Sequence, residues 1–117
     1  MANNIDSSSP IDLSLLKQYA HGDEEILNEL IEAFYTETQK ALTELNAGKD
    51  IEDSKRWTEA AHKIKGSAGY VGADKLRKLS ADAQKMEGST PEERLDVFDS
   101  IKNAYTEVEY SLKECTQ

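Results

Sequence analysis

Apolar residues recur along this chain at three- and four-residue intervals, the spacing of amphipathic helices. Leu13, Leu16 and Tyr19 predict a short first helix over about Pro10 to Ala20, with Ser9 as N-cap, Pro10 at N1, Asp12 at N3 and His21-Gly22 as its end. Leu27, Leu30, Ile31, Phe34, Ala41, Leu42 and Leu45 predict a long second helix, with Ile26 and Leu30 toward one edge of its stripe. It begins at Asp23-Glu24-Glu25, whose carboxylates suit the positive end of the helix dipole, and runs to Ala47-Gly48. Trp57, Ala60, Ala61, Ile64, Ala68 and Val71 mark a third helix, capped by Asp50 with Asp53 and stopping near Gly72. Leu76, Leu79, Ala83 and Met86 mark a fourth over about Asp74 to Glu87, broken by Gly88-Ser89. Thr90-Pro91-Glu92-Glu93 is a capping box with Pro at N1. The fifth helix that it opens presents Leu95, Phe98, Ile101, Ala104, Tyr105, Val108 and Leu112.

No segment alternates apolar and polar residues as a strand would, and no repeat or low-complexity linker interrupts the pattern. The prediction is an all-α fold, an antiparallel four-helix bundle with a short extra N-terminal helix packed at one end. Residues 1–8 are polar and aperiodic, and a mobile arm is expected there. Residues 9–117 are expected to form a single domain, since 117 residues suffice for one core and not two.

The formal charge of −9 disfavours a nucleic-acid binder, which needs a basic face. The charge is uneven: Lys63 to Lys85 carries six cations against two anions, a local +4, so the remainder carries −13. Cys115 has no partner for an internal disulfide. No apolar run resembles a signal peptide or reaches the length of a membrane span, so a cytoplasmic protein without membrane contact is expected.

The third helix carries the candidate chemistry. At about 100° per residue, His62 points about 150–180° away from the middle of the apolar stripe. Burying Trp57 and Ile64 therefore displays His62 to solvent. Lys55, Thr58, Glu59, Lys65, Gly66 and Gly69 share its side of the helix, Tyr70 flanks it, and Ser67 lies toward the core margin. A glycine within a helix costs about 0.5–1 kcal/mol relative to alanine. Gly66 and Gly69 lie one and two turns beyond His62 and off the stripe, so core packing explains them poorly. They leave a bare surface beside the imidazole; with Thr58 and Glu59 they are the expected partner-docking surface. Lys63 and Lys65 add positive charge. An exposed ring with free access and flanking cations suits phosphoryl handling. The second histidine, His21, sits in a Gly-containing turn and lacks this setting.

The run His62-Lys63-Ile64-Lys65-Gly66-Ser67-Ala68-Gly69-Tyr70-Val71-Gly72-Ala73 resembles the signature of histidine-containing phosphotransfer (HPt) domains: His-x-hydrophobic-Lys-Gly-Ser followed by a hydrophobic-Gly pair. The flanking helix pattern fits that family over nearly the whole chain, although Gly69 falls at a variable family position. The resemblance implies a phosphorelay intermediate of two-component signalling. His62 would accept a phosphoryl group through Nε2 from an aspartyl phosphate on a receiver domain, and pass it to another receiver aspartate. Lys65 would screen the phosphate, and Gln84, 22 residues after His62 on the flank of the fourth helix, would hydrogen-bond the imidazole or the phosphate. Gly66 would give the receiver steric clearance.

The implied partners are response-regulator receiver domains and a hybrid sensor histidine kinase, with the chain itself a monomer. No cofactor is expected on this chain; the resemblance puts Mg²⁺ on the partner receiver. No GxxxxGK[ST] loop is present, so the chain is expected to carry phosphate without autonomous kinase or ATP-hydrolysing activity. Glu59-Ala60-Ala61-His62 is formally a Glu-x-x-His pair, but a di-iron bundle needs a second pair and two further inward glutamates. No metal site is expected. The competing reading is an acidic helical adaptor that binds a partner without carrying phosphate.

Overall fold

The computed structural model describes residues 10–50 and 54–115. The arm expected over residues 1–8, the N-cap assigned to Ser9 and the capping role of Asp53 lie outside the described residues. Among the described residues five helices follow in order: α1 (Ser14–Ala20), α2 (Glu24–Gly48), α3 (Ser54–Tyr70), α4 (Asp74–Gln84) and α5 (Pro91–Cys115). Each helix packs against the next in sequence, and α2 also meets α5, which closes a four-helix ring with α1 against α2. Short connections between long helices dictate antiparallel neighbours. No strand occurs among the described residues.

The seam of the bundle is where the helical stripes meet. Leu45, Trp57, Ile64, Leu76, Ile101 and Leu112 are fully buried. Burying one such side chain contributes about 1.5–3 kcal/mol, against roughly 0–1 kcal/mol for an exposed ion pair. This seam, and not the ion pairs on the surface, holds the bundle. The α2–α5 closure adds a hydrogen bond from Gln39 Nε2 to Tyr105 Oη at 3.1 Å and a Phe34–Tyr105 ring contact at 6.0 Å.

Two helix starts form as the sequence dictates. The Asp23 carboxylate accepts from the N–H groups of Glu25 and Ile26, capping α2. At α5, Thr90 N–H donates to Glu93 Oε1 and Glu93 N–H donates to Thr90 Oγ1, a reciprocal capping box.

Four expectations are corrected. α1 begins at Ser14 and not Pro10, because residues 11–13 run across the end of α3. Ile11 and Leu13 are buried there, while the Asp12 N–H donates to Val71 O at 2.8 Å. The Asp12 carboxylate then accepts from the Ser14 N–H at 2.9 Å, which starts the helix. Asp50 does not cap α3; it pairs with Lys49 Nζ at 3.0 Å. α4 ends at Gln84, short of Glu87, because Lys85 and Met86 turn their N–H groups to the carbonyls three residues back.

Finally, Leu95 is 43% exposed, and its neighbour Arg94 takes the inward position at 2%. The Arg94 guanidinium donates to Ser89 Oγ, Ser54 Oγ and the Gly48 carbonyl. That carbonyl is the last of α2, at the negative end of the helix dipole, so it suits a cation. The guanidinium also lies 5.5 Å from the centroid of the Trp57 ring. One buried arginine thus clasps the end of α2, the start of α3 and the turn before α5.

Candidate functional site

Burial of Trp57, Ala60, Ala61, Ile64 and Ala68 fixes the rotation of α3 about its axis. His62 is exposed as a consequence, together with Glu59, Lys63, Gly66 and Gly69. Thr58 is half-buried, and its hydroxyl donates to Lys55 O at 3.1 Å. Lys65, expected to be exposed, is half-buried.

The structure brings Thr58, Glu59, His62, Lys63 and Gln84 around one shallow depression. Gln84 crosses from the end of α4 and stands with Nε2 3.2 Å from His62 Nδ1. Nδ1 is thereby occupied, and Nε2 is the ring nitrogen left for chemistry. A carboxamide carries a donor and an acceptor on one stem. When its N–H donates to Nδ1, the ring proton sits on Nε2. When it turns and Oε1 accepts from Nδ1–H, Nε2 holds a free lone pair and is nucleophilic. Gln84 can therefore serve both tautomers of the imidazole.

Lys65 is not in the lining of this depression, whereas Lys63 is. On the helical wheel the two lysines fall on opposite flanks of His62, so positive charge borders the ring from both sides. Lys63 also helps hold the Glu44 carboxyl below its ordinary range, after the larger effects of Arg56. Gly66 and Gly69 are open: a methyl group on either would meet nothing within 4 Å.

Sequence reasoning missed the surface beside these glycines. Tyr19, an apolar member of the first helix by its spacing, is 54% exposed. Its ring lies 6.2 Å from that of Tyr70, which is 52% exposed. Both line an apolar groove between α1, α2 and α3, with Leu16, Leu30, Phe34 and Ser67. The signal was present, since Tyr70 flanks His62 on the wheel, but the tilt of α1 over α2 cannot be deduced from periodicity.

His21 is elsewhere and does another job. It adopts left-handed backbone (φ 52°) and ends α1, with its N–H donating to Gln18 O. Among the described residues no group of His, Cys, Asp and Glu side chains could hold a metal ion. No described helix is long and apolar enough to cross a membrane.

A curated relative, the phosphorelay intermediate protein rdeA of Dictyostelium discoideum, is 27% identical over 103 residues. The alignment covers 88% of this chain but 38% of the relative, so the chain spans well under half of that protein. No solved structure matches. The family model for the Hpt domain matches residues 29–111, which take in α3, α4 and most of α2 and α5 with His62 and Gln84 among them, and the chain belongs to that family.

Proposed function

We propose that this chain is a phosphorelay intermediate in two-component signalling, and that His62 is its phosphoacceptor. The observation that carries the reading is an exposed histidine with Nδ1 held by Gln84 and a bare helix surface beside it, in an Hpt-family chain. The Nε2 lone pair attacks phosphorus of an aspartyl phosphate on a receiver domain. The N–P bond forms as the P–O bond breaks, and the aspartate carboxylate leaves with the electron pair. The reverse step on a second receiver aspartate discharges the phosphoramidate.

Lys63 and Lys65 supply positive charge to the phosphoryl oxygens, and charge-assisted contacts of this kind are stronger than neutral ones. Thr58, Glu59, Gly66 and Gly69 form the rim on which the receiver docks, continuous in this reading with the Tyr19–Tyr70 groove. Mg²⁺ belongs to the receiver. A hybrid sensor kinase upstream, a monomeric state and a cytoplasmic location are parts of the same reading.

The test is labelling from a phosphorylated receiver domain. His62→Gln should abolish acid-labile phosphate on this chain while helical content is retained. Label that survives and maps to His21 would overturn the assignment. A wild-type chain that binds receivers but never takes label would leave the adaptor reading in its place.

A further inference from the structure

Trp57 lies on the same helix as His62 but points the opposite way, into the seam of the bundle, where it is fully buried. Its indole N–H donates to the carbonyl oxygen of Ala83 at 2.7 Å. That carbonyl belongs to the last turn of α4. The helix stops at Gln84, so no N–H four residues on is available to it. Met86 N–H reaches it at 3.1 Å, the Lys85 N–H also turns toward it, and the indole makes the shortest of these bonds at 2.7 Å.

The Ala83 carbonyl and the Gln84 Cα belong to one planar peptide unit. A short hydrogen bond to that oxygen therefore orients the plane from which the Gln84 side chain grows. One residue on, the Gln84 carboxamide meets His62 Nδ1. The connections form a closed circuit: Trp57 to the Ala83–Gln84 peptide, Gln84 to His62, and α3 itself back to Trp57.

Trp57 is in turn held from behind. The end of α2 lies flush against its backbone, where a methyl group on Gly48 would stand 2.9 Å from Trp57 N. The Arg94 guanidinium covers its ring. The direction of the indole N–H is thus set by two other elements of the bundle, α2 and α5.

We propose that Trp57 is a positioning residue for the His62 imidazole, acting through its indole N–H on the Ala83–Gln84 peptide and so on the Gln84 carboxamide. The ring orientation of His62 follows from the structure alone; only its effect on phosphotransfer rests on the relay reading.

The experiment removes the N–H and reads the imidazole directly. Trp57→Phe deletes the donor, and replacement of Trp57 by 3-benzothienylalanine, in which sulfur stands for the indole N–H, deletes it while keeping the bicyclic shape. The second variant serves if the smaller ring unfolds the core. The ¹⁵N shifts of His62 Nδ1 and Nε2 report the tautomer of the neutral ring in each protein, and Gln84→Ala supplies the reference for a ring without its partner.

Loss of the N–H should move the His62 ring signals toward those of Gln84→Ala, and should move them no further when combined with Gln84→Ala, as coupled residues behave in a double-mutant cycle. Transfer from a phosphorylated receiver should fall by a similar factor in the single and double variants. Ring signals unchanged in the benzothienyl protein, or equally displaced with and without Gln84, would overturn the proposal. Ring signals that shift as expected in a protein never labelled by any receiver would instead overturn the relay reading and leave the positioning role standing.

Discussion

Gly72 and Asp12 touch so closely that a methyl group on Gly72 would stand 2.5 Å from the Asp12 carbonyl oxygen. Gly72 also holds a left-handed backbone, φ 62°, in the turn between α3 and α4. The glycine that closes the family signature thus serves the fold. It lets the segment before α1 lie across the end of the helix that carries His62, where Asp12 N–H bonds Val71 O.

Gly72→Ala should therefore destabilise the protein on two counts. Left-handed backbone costs a residue with a Cβ roughly 1–2 kcal/mol, and relief of the clash requires the residue 11–13 segment to move. We expect a loss of about 2 kcal/mol or more by denaturant unfolding. A variant as stable as the wild type would show that this contact yields freely.

Much of this architecture was legible in the chain because its signals are local. The α5 capping box lies within four residues, and the apolar stripe of α3 repeats the helical period over its whole length. The rotation of α3, and with it the exposure of His62, follows from Trp57 and Ile64 alone. What was not legible depends on partners distant in sequence. Arg94 occupies an inward place beside the expected Leu95 because Ser54 and the Gly48 carbonyl await it 40 and 46 residues away. α4 stops early where Met86 and the indole of Trp57 both take the Ala83 carbonyl, and no propensity for residues 84–87 encodes that. Gln84 could be placed on the correct flank of α4 by counting, but its distance from His62 required the crossing of two helices.

The lysines beside His62 separate charge from packing. Lys65 is half-buried, so its stem contributes contacts that alanine would also remove. Lys65→Met keeps the stem and deletes the charge. It should leave the melting temperature nearly unchanged and slow phosphotransfer roughly ten-fold or more, one decade of rate being about 1.4 kcal/mol. Lys63→Met, at the exposed rim of the depression, should act in the same direction. Rates equal to wild type at low salt for both variants would show that neither cation meets the phosphoryl group.

Acid should remove one tie between α2 and α3. Arg56 Nε donates to Glu44 Oε1 at 2.9 Å, and this hydrogen bond, followed by the charge of Arg56, holds the Glu44 carboxyl below its ordinary value of 4.5. A carboxyl whose folded value is depressed contributes stability above its unfolded value and loses it as pH falls through the folded one. Wild type should therefore melt slightly above Glu44→Gln near neutral pH, and the gap should shrink as the pH falls below 4.5 and close once it passes the lower folded value. The pair is nearly half exposed, at 47% for Arg56 and 43% for Glu44, so added salt should shrink the gap as well. A gap that persists unchanged in acid would mean that Glu44 acts by packing.

Gly66 distinguishes access from stability. It stands one turn beyond His62 on the exposed face of α3, and a methyl group there would meet nothing within 4 Å. Nothing in the bundle requires its smallness, and within a helix glycine costs about 0.5–1 kcal/mol relative to alanine. Gly66→Ala should therefore be neutral or stabilising by up to about 1 kcal/mol. Gly66→Gln should also fold, since its side chain projects into open solvent, but that side chain would occupy the approach to the His62 ring. In the proposed relay, the aspartyl phosphate of a docked receiver comes in line with Nε2 across this bare surface. We expect receiver affinity and transfer rate to fall sharply in Gly66→Gln while its melting temperature stays near that of wild type. Thermal melts and transfer assays on the two variants separate the cases. A fully active, stable Gly66→Gln protein would show that the incoming receiver does not pass over this turn of α3, and Gly66 would then lack a role in docking.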